Sequence, residues 1–340
     1  MKIPLFRIGV TADDVLAVNK VLARGESWAQ GPEIEEFEQM IAEYIETEYA
    51  VVFNSGTSAL HAAMLASGIG PGDEVIVPAF TFAATANAPY FVGAKSVFAD
   101  IEDRTFGLDI KSVASRITPS TKAIIAVHYA GCPCNFVVAL KTFADQCGLL
   151  LIEDASESFG ASHCGHKVGS IGHMGVHSFC QSKIITTGEG GAITLNDPDT
   201  YRKLLSIRSH GPPLGYNWRM PSMNAALGIS QLNRVDKMIE TRRANAYKLY
   251  KGLEDSTKVS CFNALGRSHV FQMFPMLARG DRDELMSYLS DHGIASKVYF
   301  PSLATEPLPV TDEVSSNVLC IHPHPAMTEE EINYIIEVLK

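Results

Sequence analysis

The sequence predicts an α/β fold, with a large domain whose mostly parallel sheet is flanked by helices and a smaller C-terminal α+β domain. Two observations predict the large domain. Between residues 48 and 180, short runs rich in Val, Ile and Leu recur without polar alternation, as strands buried on both faces require. Helical stretches separate those runs, which is the βαβ pattern of parallel strands joined by crossover helices. A third observation predicts the smaller domain: beyond residue 250 the chain changes to one strand-like run and two helical patterns.

In chain order, residues 12–23 and 33–46 read as helices, separated by the Gly- and Pro-containing stretch 25–32. Strands follow at residues 49–53, 74–77, 95–99, 123–127 and 149–152, with helical patterns such as 57–67 and 135–147 between them. Residues 222–250 read as one long helix. Residues 269–276 read as a strand, and 282–292 and 328–339 as helices. The change of character divides the chain into a domain of residues 1–245, which includes the N-terminal helical segment, and one of residues 246–340.

Composition excludes several function classes. With 28 Lys and Arg against 38 Asp and Glu, the net charge is −10 and no basic run stands out, so nucleic acid is not an expected partner. No stretch approaches the roughly 18 apolar residues of a membrane span, and the N-terminus lacks the apolar core of a secretion signal. Seven cysteines, an odd number without such a signal, read as reduced thiols in the cytoplasm. His128 with Cys132 and Cys134, and His163-Cys164-Gly165-His166, match no closed zinc spacing, so no metal is expected.

Three motifs carry chemistry. Asp154 ends the most apolar strand of the chain, where ligands of open α/β sheets collect. Its carboxylate suits a pyridinium nitrogen, although an Asp after a strand also caps turns. Asn54-Ser55-Gly56-Thr57-Ser58 joins a strand to a helix. There Gly56 admits an anion close to the backbone, while the first-turn amides and the Thr57 hydroxyl can bind phosphate. The same residues also read as an ordinary N-cap. Lys183 precedes the turn-rich Thr186-Thr187-Gly188-Glu189-Gly190-Gly191 and follows Ser178 by five residues. It is either a solvated surface lysine or a Schiff-base amine. An amine, a carboxylate and phosphate donors are the three parts that pyridoxal 5'-phosphate chemistry needs.

In this order, Asn54 to Leu60, Glu153-Asp154-Ala155, Ser178-Phe179, Lys183, Thr187 to Gly191 and Gly215 to Met220 resemble the DegT-type sugar-nucleotide aminotransferases, within the fold-type-I pyridoxal phosphate enzymes. The resemblance extends through Trp28, Gly31-Pro32, residues 78–87 and Arg208-Ser209-His210-Gly211. It covers most of residues 1–235 and, more weakly, the C-terminal unit. It implies a seven-stranded sheet, Lys183 as the Schiff-base amine and Asp154 on the pyridine nitrogen. It also implies Gly56, Thr57, Ser58 and Ser178 at the phosphate, Phe82 against the ring face and Glu157 near the cofactor. Asn217 matches the residue that reaches the phosphate of the neighbouring subunit, which implies a homodimer with a shared active site.

The implied activity is amino transfer, with glutamate as donor, to a nucleotide-linked keto-deoxysugar. Glu157-Ser158 resembles the perosamine-synthase-like branch, which aminates carbon 4 of 4-keto-6-deoxysugars. Two alternatives stay open. One is a sugar 3-dehydratase of the same fold, a class that replaces the lysine with histidine; the other is a non-catalytic pyridoxal phosphate-binding regulator. The sequence departs from the family at Glu157, where many relatives have Gln or His, and at His173, where Asp is usual. It is also shorter at residues 211–215 and around 301–308. Such loops contact the sugar nucleotide, so nucleotide, sugar and stereochemistry stay open.

Overall fold

The computed structural model describes residues 1–262 and 268–340. The chain opens with helices α1 (Ala12–Arg24) and α2 (Glu33–Ile45). Thr11 caps α1 and Asp14 returns a bond to the Thr11 amide, while Gly25 ends the helix in the left-handed conformation. Phe37, Ile41 and Ile45 of α2 are fully buried on the face of the main sheet.

Strands and helices then alternate. They are β1 (Tyr49–Phe53), α3 (Gly56–Ala66), β2 (Glu74–Pro78), α4 (Ala83–Phe91), β3 (Lys95–Ala99), α5 (Ile110–Ser115), β4 (Thr121–Val127), α6 (Val137–Cys147) and β5 (Leu150–Asp154). A small hairpin, β6 (Ser162–His163) and β7 (His166–Lys167), precedes β8 (Met174–Ser178), β9 (Gly191–Leu195) and α7 (Pro198–Arg208). The main sheet has seven strands in the order β1-β9-β8-β5-β4-β2-β3. Strands β3, β2, β4, β5 and β8 run parallel. Only β9 is reversed, antiparallel to both β8 and β1, so β1 shares the common direction. The five strands legible in the residues all point the same way. Met174-Gly175-Val176-His177-Ser178, the short strand-like run before Lys183, is less apolar than the other five. It is a strand because β5 and β9 pair with it on both sides, and a Cβ on Gly175 would lie 2.3 Å from Gly169.

The long helix expected over residues 222–250 is instead two, α8 (Ser222–Leu232) and α9 (Val235–Leu253). No Gly or Pro marks the break. It falls at Arg234, whose guanidinium turns back onto Asp14 of α1 and onto the Ser230 carbonyl. The expected strand at 269–276 is displaced: β11 is Phe274–Ala278, because Val270 and Met273 give their amides to the carbonyls of Gly131 and Ala130. With β10 (Val259–Cys261) and β12 (Val318–Ile321) it forms a three-stranded antiparallel sheet, accompanied by α10 (Arg282–Asp291), α11 (Pro309–Asn317) and α12 (Glu329–Leu339).

The cores change hands along α9. Val235 and Ile239 pack with the main sheet, whereas Ala246, Leu249 and Leu253 pack with Met276, Ile321 and Ile335. Ile3 joins this second core and bridges to Ile294. Among the described residues, no helix is long and apolar enough to cross a membrane.

Candidate active site

The carboxyl ends of β1, β2, β4, β5 and β8 open on one cavity of about 450 Å³. Convergence there follows from topology, since parallel strands send their following loops to the same edge of the sheet. The C-terminal unit closes the cavity with Lys297, Tyr299 and Phe300, and the N-terminal segment with Leu5 and Phe6.

At the end of β5, successive side chains point to opposite faces. Asp154 lines the cavity and is 5% exposed. Its Oδ2 accepts from the Thr85 hydroxyl at 2.7 Å and its Oδ1 from the Ser156 amide at 3.1 Å. Thr81 in turn donates to Thr85, so α4 braces the carboxylate. Glu153 points away and accepts four bonds, from His128 and from the amides of Gly169, Ile171 and Gly172. His128 Nδ1 accepts from the Cys134 amide, so the proton sits on Nε2 and is donated to Glu153. That His–Cys neighbourhood is thus a buried hydrogen-bond network. Among the described residues no cluster of His, Cys, Asp or Glu is placed to hold a metal.

The turn after β1 places the N-terminus of α3 against β8 and β9. Ser55 caps the helix by accepting from the Ser58 amide, and its carbonyl takes the Ala59 amide. The amides of Gly56 and Thr57 belong to the first turn, which has no intrahelical acceptors for them. A Cβ on Gly56 would come within 3.0 Å of Ser178 Cβ, and one on Gly191 within 2.5 Å of the Ser55 carbonyl. Close approach therefore requires glycine at 191 and leaves little room for a side chain at 56. Gly56, Thr57 and Ser178 line the cavity together.

Lys183 stands on the loop between β8 and β9. That loop is held shut by bonds from Phe179 to the Gly190 carbonyl and from Thr187 to the Phe179 carbonyl. Lys183 Nζ lies 3.5 Å from Glu157 Oε1, while Glu157 Oε2 accepts from the Ala130 amide at 2.9 Å. Burial raises the Glu157 carboxyl above its ordinary range, against the opposing pull of Lys183. Phe82 lines the cavity with 59% of its surface exposed, so its ring face is open to a planar ligand.

Seven of the expected residues thus meet in one cavity: Gly56, Thr57, Phe82, Asp154, Glu157, Ser178 and Lys183. Two do not. The Ser58 hydroxyl turns to Asn54 Oδ1 and Ser55 Oγ instead. Asn217 is exposed on the far side of a bridge to Ser209 and lines no cavity with Lys183. Thr81, Thr85, Lys297 and Tyr299 were missed. The i, i+4 spacing of Thr81 and Thr85 was a usable signal. Nothing local marks Lys297 or Tyr299, which only the folding of the C-terminal unit brings near.

A braced carboxylate, a glycine-lined helix start beside a serine, an open aromatic face and an amine in one cavity fit pyridoxal phosphate. This fold and this site define a fold-type-I pyridoxal phosphate enzyme. Residues 10–340 match the DegT/DnrJ/EryC1/StrS aminotransferase family, and the chain belongs to it. It is 39% identical to a GDP-perosamine synthase of Caulobacter vibrioides, covering 90% of this chain and 89% of the relative. It is 34% identical to a pleiotropic regulatory protein of Geobacillus stearothermophilus, covering 95% and 93%. A solved E. coli GDP-4-keto-6-deoxy-D-mannose-3-dehydratase with bound hydrated PLP is 26% identical and superposes with a TM-score of 0.93, covering 100% of this chain and 99% of that one.

Proposed function

We propose that the chain transfers an amino group from glutamate to carbon 4 of a nucleotide-linked 4-keto-6-deoxysugar, with GDP as the favoured nucleotide. The observation that carries this reading is Lys183 in the cavity beside Glu157 and Asp154, in a chain similar to a GDP-perosamine synthase. A dehydratase of this fold would carry histidine at position 183.

Bound in the cavity, pyridoxal phosphate supplies an electrophilic carbonyl and a ring that withdraws electrons from the reacting carbon. Gly56, Thr57 and Ser178 would hold its phosphate, Phe82 would cover a ring face and Asp154, kept in place by Thr85, would pair with the ring nitrogen. Lys183 Nζ is the nucleophilic amine, and in its free form it takes up and returns a proton. Glu157 Oε1 orients that amine and offsets its charge. Residues 1–245 form the cofactor-binding domain, and residues 246–340 the domain that closes the cavity with Lys297 and Tyr299. None of the seven cysteines forms a disulfide, which suits the reducing cytoplasm.

Glutamate should discharge the cofactor of the purified enzyme, read as a change in its visible absorption, and a 4-keto sugar nucleotide should restore it. Amination at carbon 3, found by NMR of the product, would overturn the carbon-4 assignment. The same reading assigns Asn217 to the partner's cofactor in a homodimer. Lys183→Ala and Asn217→Ala chains refolded together should then regain activity above either parent at low cofactor concentration, because one site receives both defects and the other none. No rescue on mixing would confine Asn217 to its own chain.

A further inference from the structure

Beside Lys183 a second cavity of about 210 Å³ lies between the N-terminal segment and the loop that carries the lysine. It shares Phe6, Gln181, Ser182 and Lys183 with the larger cavity. Three arginines line it. Arg7 is paired with Glu331 and Arg234 with Asp14, each through both carboxylate oxygens. Arg242 has no carboxylate partner among the described residues.

Arg242 is nonetheless 4% exposed. Its Nη1 donates at 3.3 and 3.4 Å to the carbonyls of Phe271 and Gln272, and its Nε has no partner among the described residues. Burial pulls its pKa down to about 10, which leaves it a cation at neutral pH. The neighbouring groups do not compensate it. His322 and His324 are buried with no partner on either nitrogen among the described residues. Burial and the field of Arg242 hold them at about 3 and about 4, so both are neutral. Gln272 donates its amide to the Ser182 carbonyl, beside Lys183, and leaves its Oε1 unpartnered among the described residues.

An unpaired guanidinium in the interior is strongly unfavourable unless an anion meets it. The volume limits that anion, since sites for drug-sized ligands run to roughly 300–1,000 Å³. A sugar nucleotide is too large, whereas a small organic acid is of the right size. Because Lys183 borders both cavities, such an acid can sit in the small one with its other end at the amine.

We propose that this small cavity is the carboxylate subsite of the amino donor, in which Arg242 binds the donor's side-chain carboxylate while the donor's amino carbon lies at Lys183. The assignment rests on the aminotransferase reading with glutamate as donor, and it supplies a physical reason for a dicarboxylic one.

The probe is glutarate, which carries both carboxylates and no amino group. Its binding to the cofactor-loaded enzyme is read by calorimetry, with butyrate as the single-carboxylate comparison. Glutarate should bind and butyrate should bind far more weakly. Arg242→Met should weaken glutarate by about thirtyfold or more, as loss of one partner of a buried charge pair does. Gln231→Glu is the second variant. Gln231 Oε1 already accepts from the Thr186 amide, so a carboxylate there keeps that bond and adds a charge to the cavity. It should abolish glutarate binding and raise the melting temperature.

Glutarate binding that is absent in the wild type, or unchanged in the folded variants, would overturn the subsite even with glutamate as the working donor. If alanine or glutamine discharges the wild-type cofactor faster than glutamate, the donor assignment falls and the subsite falls with it.

Discussion

Glu153 and Glu157 are both buried, on either side of the Asp154 turn, yet their environments push them in opposite directions. Glu153 loses solvation but gains His128 and the amides of Gly169, Ile171 and Gly172, and its carboxyl falls below the ordinary range. Glu157 loses a similar amount of solvent but receives one amide and a lysine at 3.5 Å, and its carboxyl rises. The difference is the number of donors. A carboxylate with every lone pair engaged is a permanent charge that fastens structure. One that is incompletely satisfied and faces a cavity can exchange a proton and respond to a ligand. Glu153 ties β5 to the segment before β8, whereas Glu157 serves the site.

The largest effect expected is on the site side of this comparison. Lys183→Ala should lower turnover by about 10⁴-fold or more, the upper end of what a positioned acid–base group supplies, because the nucleophile is lost too. Single-turnover absorption with glutamate checks it, and residual half-reaction would show that the amine beside Glu157 is not the one that reacts.

On the structural side, Glu153→Gln should destabilise the fold by about 3–5 kcal/mol, as breaking a buried charge network does. Urea unfolding measures it. The pH sign follows from the lowered carboxyl. Its stabilisation is complete above the ordinary carboxylate range and is lost as pH falls through the folded value, since there the unfolded chain binds the proton first. The variant should therefore lose part of the acid sensitivity of the wild type.

Glu157→Gln should behave oppositely. We expect kcat to fall by about 10²-fold. Stability near neutral pH should change by no more than about 1 kcal/mol. Because the Glu157 carboxyl is raised, wild-type stability declines as pH rises from the unfolded value to the folded one, where the native state holds more protons. The variant should flatten that decline. If both Gln variants destabilise equally, the two glutamates are both structural and the contrast is broken.

The smallest change is Thr85→Val, which removes one donor from Asp154 and leaves the carboxylate in place. Loss of one such bond, about 1 kcal/mol, should raise the cofactor dissociation constant roughly fivefold, measured by equilibrium dialysis.

Much of this contrast was legible in advance, for physical reasons that differ by residue. Asp154 was legible because a carboxylate directly after a continuous apolar strand must emerge at the carboxyl edge of the sheet. Gly56 and Thr57 were legible because the strand–turn–helix junction writes its requirements locally. Glu157 was marked, but its role was not. Its repulsion by Asp154 could be foreseen, whereas its bonds to Lys183 and the Ala130 amide depend on the turn after β4 lying beside the turn after β5. Ser58 was read toward the phosphate, whereas its hydroxyl turns to Asn54 and Ser55, because a cap and a phosphate ligand use the same residue types.

By itself the sequence determined the parallel sheet, the edge at which its loops gather and the chemical types present there. Apolar runs, helix starts and required glycines are all decided within a few residues, where sterics and the spacing of side chains leave little choice. The tertiary structure decided what separate segments must agree on. The long helix breaks where the Arg234 guanidinium meets Asp14, and β8 is a strand because β5 and β9 pair with it on both sides. Lys297 and Tyr299 reach the cavity because the small sheet packs over it, and Arg242 is left without a carboxylate because none of the described segments packed around it brings one. Those outcomes depend on packing free energies summed over residues far apart in the chain, so no local pattern contains them.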